Sequence, residues 1–191
     1  IIVDDGSTDS TQLILEKIHG IKFLSKKNGG KGSAIRLGLQ EATGDVILIQ
    51  DADLEYSPTD IPALLKTMIE NNADAVYGSR FMKKRTGKKI WLHEFGNRFL
   101  ALLTTLLFFK KITDPETGYK LVKKKVLNQL ELKSNQFDIE IEITAKLLKN
   151  KYTILEVPIN FSPRTISEGK KITWKDGIVA VKKVIKYRFS N

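Results

Sequence analysis

Val46-Ile47-Leu48-Ile49-Gln50-Asp51-Ala52-Asp53 runs from apolar chain straight into two acids. A run of branched and aliphatic residues reads as a strand buried on both faces, as in a parallel sheet. In open α/β sheets ligands bind at the carboxyl ends of the strands. Two carboxylates one residue apart at such an end suit Mg²⁺ or Mn²⁺ bridging to a substrate diphosphate. Glu55, two residues on, is a candidate third ligand. An Asp-x-Asp pair also occurs in ordinary solvated turns, so its meaning depends on the rest of the chain.

Two more junctions carry polar chemistry. Ile1-Ile2-Val3-Asp4-Asp5-Gly6-Ser7-Thr8-Asp9-Ser10 is a strand end, two acids, a glycine turn and an N-cap signal. Asn28-Gly29-Gly30-Lys31-Gly32-Ser33-Ala34 is a glycine-rich turn opening a helix. Glycines there allow close backbone approach to a ligand, and exposed N–H groups favour anions. Each junction alone is an ordinary turn. Three together predict a shared site on one edge of a sheet.

Around them, short apolar runs alternate with helical patterns. Ile1–Val3, Ile21–Leu24, Val46–Gln50 and Ala75–Tyr77 read as strands, and Thr11–Ile18, Ser33–Glu41 and Pro58–Asn71 as the helices between them. This rhythm predicts an α/β fold with a mostly parallel sheet flanked by helices. Further on, Tyr119–Val122 and Tyr152–Val157 read as strands, and Asp138–Lys149 and Trp174–Tyr187 as helices. The last helix is expected to bury Trp174, Ile178, Val181 and Ile185. Phe99–Phe109 is strongly apolar but too short to span a bilayer, which takes roughly 20 residues. It reads either as a core helix or as an interfacial helix flanked by Lys110 and Lys111.

The set of motifs resembles family 2 glycosyltransferases with the GT-A fold, a Rossmann-like arrangement. The resemblance rests on Val3-Asp4-Asp5-Gly6-Ser7-Thr8-Asp9, Asn28-x-Gly30-x-x-x-Ala34 and Asp51-Ala52-Asp53-Leu54, in this order and spacing. Tyr77–Phe81, Thr113–Lys120, Phe137–Glu140 and Glu168–Gly177 are similar to dolichyl- and polyprenyl-phosphate sugar transferases. The last of these segments most resembles the dolichyl-phosphate glucosyltransferase-like branch. Family members begin with a further strand carrying a Pro-x-Tyr-Asn-Glu type segment. The expectation is thus one catalytic domain over residues 1–191 that lacks this first strand.

The resemblance implies an inverting transfer from a nucleotide sugar, UDP-glucose first and GDP-mannose next, to a polyprenyl or dolichyl phosphate. The leaving nucleoside diphosphate accumulates negative charge, which a divalent cation on Asp51, Asp53 and Glu55 would neutralise. One of Asp4 and Asp5 is expected to contact the nucleoside, and Lys31 to approach the ribose or diphosphate. A phosphate monoester has its second pKa near 6, so the acceptor needs positioning more than deprotonation. Arg80, Arg164, Lys170 and Lys171 are the cations chosen for that task. Asp114 has three readings: an acceptor contact, a base, or a cap before Pro115. Asp138 and Glu140 are candidates for sugar contact, or first-turn acids favoured by a helix dipole. Asp9 reads equally as a helix cap and as a ligand contact.

Charge fits this picture. The net charge is +10 with a pI near 9.6. Such chains partner with nucleic acid, anionic membranes or phosphorylated ligands. The strand-end acids argue against nucleic acid and for phosphorylated ligands at a membrane surface. There is no cysteine, which excludes a disulfide framework or a cysteine-based zinc site and fits a reducing compartment. With the basic charge and the resemblance, the expectation is a cytoplasmic protein peripheral at the membrane surface. The alternatives are a family 2 transferase acting on a polysaccharide or other sugar acceptor, and a catalytically inactive fragment.

Overall fold

The computed structural model describes residues 1–83, 91–164 and 174–189. In chain order its elements are β1 (Ile2–Asp4), α1 (Thr11–Leu15), β2 (Phe23–Ser25), α2 (Lys31–Glu41) and β3 (Val46–Leu48). A 3-10 turn at Pro58–Asp60 leads into α3 (Ile61–Asn71), followed by β4 (Ala75–Ser79), α4 (Trp91–Phe108) and β5 (Lys120–Lys123). The chain continues with α5 (Lys124–Gln129), α6 (Ile139–Lys149), β6 (Ile154–Pro158) and α7 (Trp174–Phe189). The β-α alternation expected from the apolar runs is present.

β1 and β2 pair in parallel as a two-stranded sheet. The second sheet has the order β3-β5-β4-β6. β4 and β6 are parallel, and β5 runs against both β3 and β4. β3, β4 and β6 therefore share a direction, and β5 alone is reversed in that sheet. This reversal has a geometric effect. A parallel strand would leave the sheet at the carboxyl edge of β3, whereas β5 enters there. Leu121 pairs with Leu48 and Lys120 with Tyr77, so the loop leading into β5 arrives beside the end of β3.

Alternation along the strands distributes the core. Ala75, Tyr77 and Val122 point to one face, with Ile139, Ile143 and Leu147 of α6 and Val126 and Leu127 of α5. Val76, Tyr119 and Leu121 point to the other, with Leu64 and Met68 of α3. Every residue of β4 is buried, which its position between two neighbours and two helical layers requires. A third cluster joins Leu100 of α4, Ile141 of α6, and Ala180 and Val184 of α7. The stripe expected on α7 is buried only in part: Val181 packs on this cluster, Ile178 and Ile185 are 45% and 43% exposed, and the helix also buries Val184 and small Ala180. Small side chains let helix axes approach closely, and that close approach selects the contact face.

The glycine-rich turn is also a joint in the fold. Gly38 of α2 lies against Val3 of β1, while Ile35 and Leu39 pack on the main core cluster, so α2 ties the two sheets together. At its start, Ser33 N–H donates to the Asn135 carbonyl at 3.1 Å. Gly30 has φ of 94°, and a Cβ there would lie 2.5 Å from that carbonyl. A Cβ on Gly32 would collide with the Ser134 carbonyl oxygen and its backbone carbon. Gly-to-Ala inside a helix normally stabilises by about 1 kcal/mol. Here the clash is with backbone, and overpacking of this kind costs about 1–3 kcal/mol. Gly32→Ala is expected to lower the urea-unfolding stability; an unchanged or raised midpoint would show that the 134–136 segment yields freely.

Candidate active site

The reversed strand brings a buried ladder of opposite charges to the end of β3. Lys31 Nζ donates to Asp51 Oδ2 at 2.7 Å and sits 2.8 Å from Glu140 Oε1. The other oxygen of Glu140 accepts from Lys120 Nζ at 2.6 Å. Lys120 is fully buried, donates also to the Thr117 carbonyl, and lies 4.8 Å from the centre of the Tyr77 ring. Burial works against the charge on Lys31, but Glu140 and Asp51 outweigh it and hold the ammonium above the ordinary lysine range. Burial likewise pushes Glu140 up, and Lys120 and Lys31 overcome it and keep the carboxylate ionised. Buried charges persist only when paired in this way.

A second pair lies on the same loop. Arg80, just past β4, grips Asp114 with Nε and Nη2, each at 2.7 Å, and its backbone N–H adds a third bond at 3.0 Å. Asp114 is fully buried. Its turn is itself anchored, because Glu156 of β6 accepts from the backbone N–H groups of Thr113 and Asp114 at about 3.0 Å. Between the two pairs, Glu116 has its carboxyl pushed up to about 7 by burial, with Asp114 adding to the rise and Arg80 opposing it.

Gly118 closes the loop onto β3. A Cβ there would lie 2.6 Å from Asp51 Oδ2 and 3.2 Å from the Tyr56 ring. Its N–H donates to the Tyr56 hydroxyl at 3.0 Å, and Tyr56 stacks on Tyr119 at 5.0 Å. On the opposite flank, Arg164 Nη2 bonds Asp53 Oδ2 at 2.9 Å, and its backbone N–H donates to Glu55 at 2.8 Å. Phe161 lies near both the Tyr56 ring and the Arg80 guanidinium, at 5.3 Å from each.

The structure thus brings together Asp51, Asp53, Glu55, Lys31, Glu140, Arg80, Asp114 and Arg164. Others are engaged in holding turns. Asp4 accepts from Ser7 and Gln12, and its bond with the Ser7 side chain, against some burial, holds its carboxyl below the usual range. Asp5 accepts from Lys26 at 2.6 Å and from the amides of Gly29 and Gly30 at 2.9 and 2.6 Å. Burial opposes ionisation of Asp5, but these donors prevail. Asp9 accepts from the Thr11 N–H at the start of α1, as a cap does. Asp138 faces α7, bonding Ser134 at 3.0 Å and Lys183 at 2.9 Å. Lys170 and Lys171 lie outside the described residues. Tyr56 and Glu156, which no motif singled out, also line this rim, and Glu116, Gly118 and Lys120, which lie in the Thr113–Lys120 motif without an assigned role, join them. The one clue was polar residues set into apolar strands, as with Glu156 in Ile154-Leu155-Glu156-Val157.

Among the described residues, no three acidic or histidine side chains gather closely enough to hold a metal ion. Asp51 and Asp53 are hard oxygen donors at a strand end, each now faced by a cation. Mg²⁺ is commonly held by one or two carboxylates, with substrate phosphates and water completing its shell, and these two residues fit that pattern.

The fold and its relatives agree. Glucosyl-3-phosphoglycerate synthase of Mycobacterium tuberculosis, in a complex with Mg²⁺ and uridine diphosphate, superposes with a TM-score of 0.71 at 18% identity. That comparison covers 100% of this chain and 66% of the synthase. Dolichol-phosphate mannosyltransferase of Pyrococcus furiosus is 33% identical over 89% of this chain and 49% of its own length. Glycosyltransferase AglJ of Haloferax volcanii is 28% identical, over 86% and 54% respectively. The chain therefore spans about half the length of these two relatives. An uncharacterized protein of Methanocaldococcus jannaschii is 32% identical over 99% of this chain and 87% of its own. The description of glycosyl transferase family 2 matches residues 1–131, and the chain belongs to that family.

Proposed function

We propose that residues 1–191 form the catalytic domain of an inverting glycosyltransferase that moves a sugar from a nucleotide diphosphate to a polyprenyl or dolichyl phosphate. The observation that carries this reading is the interleaving of acids and cations at the end of β3: Asp51 with Lys31, Asp53 with Arg164, and Asp114 with Arg80. Carboxylates without cations would suit a metal alone, and cations without carboxylates a phosphate alone. Their interleaving suits a metal-bound diphosphate facing a second phosphate. The kinship with a dolichol-phosphate mannosyltransferase supports the lipid acceptor.

A divalent ion on Asp51 and Asp53 would supply charge stabilisation for the departing diphosphate. The chain's own residues do the rest. Lys31, held by Asp51 and Glu140, is the cation placed to meet the diphosphate. Arg80 and Arg164 hold the acceptor phosphate, whose oxygen attacks the anomeric carbon as the bond to the β-phosphate oxygen breaks. The attacking oxygen is already ionised near neutral pH, so no proton need move. A protein nucleophile is likewise unnecessary for a single displacement.

A lipid acceptor requires contact with a bilayer. Phe95, Phe99, Leu102 and Leu106 recur along one side of α4, and each is between 50% and 73% exposed. Leu100 and Thr104 on the opposite side are buried. α4 thus packs one apolar side into the core and presents another apolar side outward, a surface suited to contact with a bilayer. No helix among the described residues is long and apolar enough to cross a membrane.

Three outcomes test the reading. Full-length protein with Mn²⁺, polyprenyl phosphate and radiolabelled UDP-glucose or GDP-mannose should yield a glycolipid. Transfer to sugar acceptors alone would replace the lipid reading, and no transfer from any common donor would end it. Asp53→Asn should fold normally and lose at least about a hundredfold in rate, the scale of removing one group that stabilises a transition state. Replacing Phe99 and Leu106 by aspartate should abolish sedimentation with anionic vesicles while leaving the circular dichroism spectrum intact.

Glu116 gives a pH signature. Its folded pKa lies near 7 against an ordinary 4.5, so the folded state binds the proton more tightly. Stability from this group is therefore lost as pH rises from about 4.5 to about 7. Glu116→Gln should remove that loss, so the variant gains on the wild type in urea unfolding between pH 5 and pH 8. Parallel pH dependence in the two proteins would rule the buried proton out.

A further inference from the structure

A cavity of about 550 Å³ lies apart from this chemistry, between the connection after α5, the carboxyl half of α6, and α7. Lys133, Lys146, Lys149, Lys183 and Lys186 line it, against only Glu131 and Glu142. The fold already uses part of this charge. Lys146 pairs with Glu142 at 2.7 Å and donates to the carbonyls of Leu130 and Glu131 at 2.8 Å. Glu142 also accepts from the backbone N–H groups of Lys133 and Ser134, at 3.0 and 2.6 Å. Lys183 pairs with Asp138. Those acids are neutralised where they stand. Among the described residues, the ammonium groups of Lys133 and Lys186 have no hydrogen-bond or ion-pair partner.

We propose that this cavity binds a phosphate-bearing anion through Lys133 and Lys186. Lysine acts on phosphate as a mobile point charge, and two unspent ammonium groups over one cavity suit an anionic phosphate group. The volume falls in the range of small-ligand sites, so the phosphate would carry a body of some size. That body is either a soluble metabolite or the glycerol backbone of a lipid. The site is separate from the donor rim but shares a wall with it: Lys133 and Ser134 line the cavity, while the Ser134 and Asn135 carbonyls press on Gly32 and Gly30. The inference does not depend on the proposed transfer reaction.

The test is binding, not turnover. Inorganic pyrophosphate is titrated calorimetrically in EDTA into wild type, into Lys133→Ala/Lys186→Ala, and into a charge-matched Lys17→Ala/Lys66→Ala control. The same three proteins are sedimented with phosphatidylglycerol vesicles and with phosphatidylcholine vesicles. The first double variant should bind at least tenfold more weakly, with the control unchanged; neither exposed amine of the cavity supports the fold. Loss of pyrophosphate binding assigns the site to a soluble phosphate, and loss of phosphatidylglycerol binding alone assigns it to a headgroup. Equal losses in both double variants, or no binding of either probe that depends on Lys133 and Lys186, would overturn the proposal.

Discussion

One ammonium group sealed between two carboxylates organises this protein's chemistry. Lys31 reaches Asp51 from one sheet's helix and Glu140 from a helix of the second half, and Glu140 in turn holds Lys120. Stripping water from any of these ions alone would cost several kcal/mol. The ladder therefore stands or falls as a unit, and its formation requires α2, β3, β5 and α6 to be in place together. The electrostatics that would serve a phosphorylated substrate also fix the arrangement of those elements.

The second constraint is steric. Gly118 must pass within contact distance of Asp51, and Gly30 and Gly32 must accept the carbonyls of the 134–136 segment. Close packing of backbone leaves no slack in the positions of Asp51 or Lys31. Arg164 on Asp53 and Arg80 on Asp114 extend the same pattern outward, each acid meeting a cation with defined geometry. A divalent ion arriving at Asp51 and Asp53 would meet carboxylates already oriented by Lys31 and Arg164.

Much of this was visible in the residues. The branched apolar run before Asp51 and Asp53 marked a strand reaching a sheet edge, though β3 is only partly buried and pairs with the antiparallel β5, and the glycine turn announced Lys31. Local pattern was incomplete where a contact's partner came from elsewhere in the chain. Gly30 and Gly32 look like a cradle for a ligand, yet part of their role is to admit a segment some hundred residues distant. Asp4 and Asp5, expected near the nucleoside, also tie turns through Ser7 and Gly29. Lys120, Glu116 and Gly118 stood in the Thr113–Lys120 motif, but their roles were illegible because they follow from a strand reversed between two others, and no local periodicity records direction. The α7 stripe turned toward Val184 for a related reason, since which side of a helix is buried depends on the shape of its neighbours.

The place of β5 also bears on how the chain is made. β3 and β4 follow one another in synthesis, yet they never pair with each other; each waits for Lys120–Lys123. Non-local pairing of this kind delays folding, and until it is complete the nascent chain carries open strand edges that invite aggregation. A growing polypeptide halted before Tyr119 would hold most of its helices but only the first, two-stranded sheet. The ribosome must therefore deliver nearly two thirds of these residues before the main sheet can assemble at all.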